Sequence, residues 1–561
     1  MKIDDIQNQI LGTDVLFDTP YGNRLLLYAD YTASGKSLIL IEKYMIELQK
    51  LYANTHTSDS MTGIVMTQIL HLAEAKIKKF LHADDNYYIV PAGTGATGAI
   101  LKLSEILGLY ISPALKVRIQ KELDMLINER PVVFIGPYEH HSNILIWKES
   151  CAEVVEIGLT SEGYIDIDEL KEEIKKDKYK GRKKIGAFSA ASNISGIKSD
   201  VFALARVLHQ YEALAVFDYA ASAPYVDINL YDGSDYLDAI YFSPHKFVGG
   251  PGSSGILIIN KDIYETSCPP TVAGGGTVDY VSNAGYEFTE DVETREKAGT
   301  PGILQIIKAS LAMEFKEEIG VNKIEEIEQK YITKIMNRFS ESKNIQVLGP
   351  LDPTKRIGIL SFNILHEGKY LHHRLTSKLL NDLFGIQSRA GCACAGPYGH
   401  ALLGISDEYS EKFRIAIKEG IGSLKPGWIR INLHYLMTEE DVDFIIDAIK
   451  FIADYGYLYL QEYSLDIKTG DWKHNTYSYE NIVVSQFGIK TALELEKRDV
   501  FKKNIINTTF EYKRYLKEAE LHSSKLLKTY SGDFKKLTGN KYEELRWFNF
   551  IHGWTAMGVK Q

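Results

Sequence analysis

Three stretches, IGAFSAASN (Ile185–Asn193), LAVFDYAAS (Leu214–Ser222) and AIYFSPHKF (Ala239–Phe247), repeat one pattern: a short β-rich apolar run, then small and polar residues. Each reads as a strand whose end delivers a chemistry-bearing side chain. Working outward, the same pattern predicts strands at Arg24–Tyr31, Tyr87–Pro91, Val132–Gly136, Val154–Gly158 and Ile256–Asn260. Amphipathic stretches lie between most of them, such as Gly63–Leu81 and Asp166–Lys178. Strand and helix in alternation predict an α/β fold with a mostly parallel sheet flanked by helices. Ligands of such sheets sit beyond the carboxyl ends of the strands.

Past a long helical stretch at Gly302–Ile319, a smaller α+β unit is expected, with strands Ile345–Leu348, Gly358–Asn363, Gly385–Arg389 and Trp428–Leu433 and a last helix Thr438–Ala453. Beyond Tyr455, Leu465–His474 reads as a hairpin turning at Lys468, Thr469 and Gly470, followed by polar helices without a clear core stripe. The expected division is a large domain over 24–310, a small domain over 311–456 together with 1–23, and a C-terminal extension over 457–561.

The 561 residues are 45% apolar and 25% charged, the balance of a folded globular protein. The start, MKIDDIQNQI, carries acids where a signal peptide needs a basic and then apolar stretch, and no apolar run approaches the roughly 20 residues of a membrane span. A cytoplasmic or other reducing location is expected, without a membrane partner. Four scattered cysteines cannot staple a chain this long. The net charge of −10 argues against nucleic-acid binding by the body of the protein. It is uneven: residues 501–561 hold 12 Lys and Arg against 6 Asp and Glu, a local +6 that leaves −16 on residues 1–500. Solvated helix faces are the plain reading of that tail, and docking on an acidic surface the sharper one.

Gly93, Gly95 and Gly98 form a G-x-G-x-x-G pattern between a predicted strand and a helix. A dinucleotide site would also need an acid about 20 residues on, at the end of the next strand. The next strand instead ends in Gly136 and Pro137. What survives is an anion site built from free backbone N–H groups at a helix N-terminus, a phosphate cradle to which Thr97 can add a hydroxyl.

Lys246 lies in a turn behind a strand, where its amine could join a carbonyl cofactor as a Schiff base. Asp218 ends another strand and could pair with a protonated pyridine nitrogen, making the ring an electron sink. His140, behind Val132–Gly136, offers an imidazole that could stack on the ring. Each alone has a plain reading: a strand-end Asp commonly caps a helix, a Lys in a glycine-rich turn is commonly solvated, and adjacent His140 and His141 point apart and make a poor chelate, so no metal is expected. Their ordered conjunction behind successive strands sets them apart.

On these residues the sequence resembles the class V aminotransferase family of pyridoxal 5'-phosphate enzymes, and within it the cysteine desulfurase and selenocysteine lyase branch. The motifs are YADYTAS (Tyr28–Ser34), YANTH (Tyr52–His56), EHHSN (Glu139–Asn143), Ser192 with Asn193, SPHK (Ser243–Lys246) and REKAGTP (Arg295–Pro301), over roughly residues 24–455. The resemblance implies fold type I of pyridoxal-phosphate-dependent transferases, with a seven-stranded sheet. It implies that Lys246 holds the cofactor, Asp218 pairs with the ring nitrogen, His140 stacks on the ring and Asn193 lies near the ring hydroxyl. Ala96, Thr97, Ser243 and His245 would bind the phosphate, and Thr300 would reach the phosphate of the opposite subunit of a homodimer. Arg430 matches the family's carboxylate-binding Arg, with Arg389, Asn193, Ala33 and His56 completing the substrate site. Where the family has Gln three residues after the Asp, this chain has Ala221; Ser222 is the nearest substitute.

The loop SRAGCACAGP (Ser388–Pro397) carries two thiols among small residues, which suggests an exposed, mobile segment. Two small apolar residues packed under a loop would be the bland account. Aligned on the Arg, Cys394 falls where desulfurases of this type place their nucleophile, with Cys392 one alternate position away. The expected reaction is removal of sulfur or selenium from cysteine or selenocysteine through a cysteine persulfide, releasing alanine, with a sulfur-acceptor protein as a possible partner. The alternatives are another class V activity, such as a C–S lyase, epimerase or aminotransferase, or a molybdenum-cofactor sulfurase-like protein, whose R-x-G-C-x-C loop is similar. A sulfur-carrier or scaffold protein with a vestigial site ranks last.

Overall fold

The computed structural model describes residues 6–55, 57–125, 129–478, 488–496, 498–537 and 541–554. His56 lies outside them. The chain divides into two units: Met1–Gln9, Tyr31–Ile327 and Thr354–Ile357 form the first, and Ile10–Asp30, Glu328–Pro353 and Gly358–Gln561 the second.

The first unit is built on seven strands, β1 (Tyr87–Pro91), β2 (Val132–Ile135), β3 (Glu153–Glu156), β4 (Lys184–Ser189), β5 (Ala213–Asp218), β6 (Ala239–Phe242) and β7 (Ile256–Asn260), in the order β1-β7-β6-β5-β4-β2-β3. Only β7 runs against its neighbours. Every strand anticipated between residues 87 and 260 is therefore present, and the carboxyl ends of the six codirectional strands share one edge. Helices follow the same logic. In α1 (Met61–Phe80) the Ser60 hydroxyl caps the Gly63 amide, and Met66, Leu70, Ala73 and Ile77 form the buried stripe. Next come α2 (Ala96–Ile106), α3 (Ser142–Glu149) and α4 (Ile303–Ile319). Ala99, Ile100 and Leu103 of α2 and Trp147 of α3 join Val133, Ile135, Ile185, Val216 and Leu257 in one core. Fully burying each of the larger apolar side chains contributes about 1.5–3 kcal/mol, enough to fix the sheet beneath the polar rim.

The second unit holds a five-stranded sheet of β8 (Ile345–Val347), β9 (Ile359–His366), β10 (Lys369–Leu371), β11 (Arg389–Gly391) and β12 (Trp428–Asn432), ordered β8-β9-β12-β11 with β10 on β9. Helices α5 (His373–Phe384), α6 (Glu439–Tyr455) and α7 (Thr508–Leu526) belong to the same unit. Thr438 and Asp441 close a reciprocal capping box at the start of α6.

Several expectations need correction. Arg24–Tyr31 is not a strand of the large sheet: Gly22–Leu25 forms a hairpin with Leu16–Thr19, and Leu27–Tyr28 pairs in parallel with Ile386–Gln387, all within the second unit. The single strand expected at Gly385–Arg389 is two, because Ile386–Gln387 and β11 pair with different partners. Residue 310 lies inside α4, a continuous helix, and residues 10–30 belong to the second unit. The described residues from 457 onward cluster with that unit. The hairpin is present, Tyr463–Asp466 against Trp472–His474. The helix thought to lack a stripe has one: Tyr512, Tyr515, Ala519, Ser523 and Leu526 of α7 are buried. Tyr512 stacks on Phe444 of α6 at 4.0 Å and donates to Asp441 at 2.7 Å, and Arg24 lies 4.6 Å over Tyr515. Part of the tail's positive charge is met locally, Arg514 by Glu511 and Glu518 and Lys541 by Glu419.

Candidate active site

The glycine pattern at 93–98 is a packing requirement. Gly93 has φ of 58°, in the left-handed region, and a Cβ on Gly98 would stand 2.9 Å from the Ala92 carbonyl oxygen. Across the loop, Gly255 lets β7 approach so closely that a Cβ there would meet the Gly95 carbonyl oxygen at 2.3 Å. The result brings the first turn of α2 against the turn after β6: the Ala96 amide donates to Ser243 Oγ at 2.8 Å. A Cβ on Gly95 would lie 3.0 Å from Ser243 Oγ and 3.4 Å from His245 Nε2. Glycine thus keeps open a small cradle lined by a helix N-terminus, a hydroxyl and an imidazole, the donor set a phosphate requires.

Lys246 ends the short 3-10 turn Pro244–Lys246, directly after β6. Two glycines allow this turn to be compact: a Cβ on Gly250 would stand 1.9 Å from the Pro244 carbonyl oxygen, and one on Gly35 2.0 Å from that of Phe247. His245 Nδ1 is 3.2 Å from Ser34 Oγ, leaving Nε2 toward the cradle. Burial, aided by the Lys246 charge, pushes the His245 imidazole down to about 4, so it stays neutral near pH 7. Asp218 closes β5, the neighbour of β6, and is buried; its Oδ1 accepts the Ala220 amide at 2.7 Å. Burial pushes its carboxyl up to about 6, against the opposing pull of that amide and of Lys246. A buried carboxylate of this kind gains from a cation placed beside it.

His140 follows β2. Its Nδ1 accepts the Ser142 amide at 3.1 Å, which puts the ring proton of the neutral imidazole on Nε2. Ser142 Oγ lies 3.1 Å from that Nδ1 and 2.8 Å from Thr97 Oγ1, so Ser142 links the ring to the phosphate loop. The His140 and His141 rings stand 6.3 Å apart and tilted by 46°. Asn193 is buried in the turn after β4, where Ser192 Oγ accepts the Ile194 and Ser195 amides at 3.1 Å each. Ala221 and Ser222 are buried, and Ser222 Oγ has no hydrogen-bond partner among the described residues. Ala33 is half-buried and Thr300 exposed.

Glu139 is a participant that sequence reading passed over. Buried completely, it takes Ser189 Oγ at 2.5 Å, the Ser189 amide at 2.8 Å and Asn143 Nδ2 at 2.6 Å. Asn143 Oδ1 in turn accepts from Trp147 Nε1 and Tyr241 OH. Burial pushes the Glu139 carboxyl up to about 7, and the nearby Asp218 charge adds to the rise. In the sequence both Glu139 and Asn143 stand in the EHHSN motif, four residues apart.

The other expected residues lie in the second unit. Arg430, in the middle of β12, is buried and pairs with Asp30 at 2.8 Å. Arg389 faces it in register on β11, and both guanidinium charges act on the Tyr28 phenol, whose ionisation burial nonetheless pushes up to about 12. Cys392 and Cys394 are half-buried rather than exposed. Gly391, Ala393 and Cys394 have φ of 115°, 46° and 57°. For the two non-glycine residues this left-handed backbone costs about 1–2 kcal/mol each. Among the described residues no group of three or more His, Cys, Asp or Glu could hold a metal ion, and no helix is long and apolar enough to cross a membrane.

Residues 27–445 match the family model described as aminotransferase class-V. The chain belongs to this family. Class V aminotransferases are pyridoxal-phosphate enzymes, and this chain is an enzyme of that kind. A protein of Halalkalibacterium halodurans named "Probable cysteine desulfurase" is 29% identical over 379 residues, 66% of this chain and 84% of that protein. One of the same name from Pyrococcus abyssi is 29% identical over 391 residues, covering 68% and 88%. Among solved structures, the cysteine desulfurase of Thermococcus onnurineus NA1 superposes with a TM-score of 0.64 at 23% identity, covering 81% of this chain and 99% of that one. The class V fold is thus fold type I, with the seven-stranded sheet described above. The donor set fits the cofactor's chemistry: a phosphate cradle, a buried carboxylate for a ring nitrogen and an amine for an aldehyde.

Proposed function

We propose that this class V enzyme is a cysteine desulfurase, taking sulfur from cysteine, or selenium from selenocysteine, and releasing alanine. Lys246 would hold the cofactor aldehyde, Asp218 the ring nitrogen, His140 the ring face and Asn193 the ring hydroxyl. Ala96, Thr97, Ser243 and His245 would hold the phosphate, with Thr300 supplied by the second subunit of a homodimer. Bound there, pyridoxal phosphate supplies an electron sink for the electrons left when a proton departs the substrate Cα.

Around that sink the chain's own groups divide the work. Lys246 Nζ, once the substrate amine has displaced it from the aldehyde, is free to take the Cα proton. The anionic form of Asp218 keeps the ring nitrogen protonated. Neutral His245 donates to the phosphate without adding charge. Arg430, with Arg389 and Ala33 nearby in role, binds the substrate, the guanidinium gripping its carboxylate in bidentate fashion. Cys394, as thiolate, attacks the substrate sulfur; the carbon–sulfur bond breaks, the sulfur stays on Cys394 as a persulfide and the remaining amino acid leaves as alanine. The persulfide then passes to a thiol acceptor. A reducing compartment such as the cytoplasm keeps both thiols competent.

The observation that supports this reading most is Cys394 itself, a half-buried thiol held in left-handed backbone inside a glycine- and alanine-rich loop. Packing alone would not demand that conformation of a cysteine. Alanine and sulfide assays on Cys394→Ala test it: both products should disappear while cofactor binding persists. Alanine formed at the wild-type rate would refute the role. Lys246→Ala should lose the visible absorbance of the bound cofactor.

A further inference from the structure

Residues 446–561 lie beyond the family match, yet one part of them reaches the root of the cysteine loop. Trp547 stacks on His372 at 5.0 Å and 22° and on His373 at 5.3 Å and 12°, both histidines being buried at the start of α5. The Trp547 indole N–H donates to the Leu424 carbonyl at 2.9 Å, and its own carbonyl accepts the Tyr370 amide. His372 Nδ1 accepts the Arg374 amide, so its Nε2 carries the proton donated to the Ser423 carbonyl. The hairpin of the extension holds the same turn from another side, Lys468 and Ile467 carbonyls accepting the Gly422 and Ser423 amides. Four of the six backbone N–H and C=O groups of segment 422–424 are therefore held by residues of the extension or of the α5 start, the other two by the local 3-10 turn.

That segment leads into Gly427 and β12. A Cβ on Gly427 would stand 2.8 Å from both His373 Nε2 and the Gly391 Cα. Gly391 is the last residue of β11 and immediately precedes Cys392. On the far side of the thiols, the helix Gly396–Leu402 rests on Trp428, whose ring would lie 2.2 Å from a Cβ on Gly399. The loop between these two anchors carries the strained backbone at Ala393 and Cys394. Strain of this kind persists only where the surroundings over-determine it.

We infer that Trp547 is a positioning residue for the nucleophile: through His373 and the Gly427–Gly391 contact, the C-terminal extension holds the conformation of the cysteine loop. This rests on Cys394 being the nucleophile, but its first readout does not need turnover. Full-length cofactor-loaded protein is treated with iodoacetamide and the alkylated cysteines mapped, with exposed Cys268 of the first unit as internal reference. In Trp547→Ala the rate at Cys394 relative to Cys268 should rise about tenfold, as the left-handed backbone relaxes. Sulfide release should fall about a hundredfold, the effect a displacement of about 1 Å can have, while the cofactor's spectral response to the substrate amine stays intact. Trp547→Phe keeps a ring in the stack and loses only the bond to Leu424, so its alkylation ratio should shift about threefold. If Trp547→Ala does not accumulate as folded protein, that variant decides. An unchanged ratio, or an equal rise at Cys151, Cys268 and Cys394, overturns the inference. Wild-type protein yielding neither sulfide nor alanine would instead overturn the functional reading and leave the alkylation ratios to decide this one.

Discussion

Asp218 should cost the cofactor-free protein stability, and the size of the cost follows from its burial. Its carboxyl has a pKa of about 6 in the folded chain against an ordinary value of 3.8. Because the folded value is raised, the contribution of this group to stability is fully present below about pH 3.8 and is lost as pH rises through about 6. Linkage gives a penalty on the order of 1 to 2 kcal/mol near pH 5 and about 3 kcal/mol near pH 7.5, relative to an unperturbed carboxyl. Asn at this position has the same shape, can still accept the Ala220 amide and never ionises. Cofactor-free Asp218→Asn should therefore gain on the wild type between the two pH values by about 1 kcal/mol. Urea unfolding of both proteins, followed by a signal from the first unit, measures this double difference; losing the Asp218 charge also relieves the Glu139 carboxyl that it helps to raise, which adds in the same direction. A double difference under about 0.5 kcal/mol, or one of opposite sign, would refute the account of Asp218 as a buried anion awaiting a cation. Adding pyridoxal phosphate should stabilise the wild type more than the variant, the sign of the effect now reversed.

Gly95→Ala puts a methyl 3.0 Å from Ser243 Oγ and 3.4 Å from His245 Nε2. Losing one hydrogen bond to a charged phosphate is worth about 1.5–3 kcal/mol, so titration by absorbance should show cofactor affinity weakened about 10- to 150-fold. Tyr512→Ala removes the ring stacked on Phe444 and should cost the second unit about 3–5 kcal/mol, read as a lower urea midpoint by a probe in that unit. Ala221→Gln introduces the residue type that the family resemblance implies for this position; it should change the cofactor's absorbance maximum while leaving the alkylation rate of Cys394 as in the wild type.

The large sheet was legible because its strands are brief apolar runs that announce their ends with Asp, Ser or Gly, a signal carried within each run. Arg24–Tyr31 shows where that signal stops. An apolar run looks the same whichever strand it joins, and the partner of Leu27–Tyr28 lies at Ile386–Gln387. The stripe of helix α7 is hard to see in the sequence because four of its five residues are Tyr, Ala or Ser, which also populate exposed faces. At the site, His140, Asn193, Asp218 and Lys246 stand at the ends of expected strands, whereas the pairings of Glu139 and Asp30 are not legible in their motifs. Their roles depend on Ser189 and Arg430, 50 and 400 residues away. Local periodicity cannot report such pairings.

The route of the chain has a consequence for its synthesis. The Leu27 amide bonds to the Gly385 carbonyl, and the Leu25 amide to the hydroxyl of Tyr515. On a ribosome adding about 5–20 residues per second, the opening segment emerges roughly 20 to 70 s before its first partner exists. Meanwhile residues 31–327 can complete the large sheet. The exposed edge of residues 10–30 must wait through that interval, and it is there that a nascent chain of this protein has most need of a chaperone.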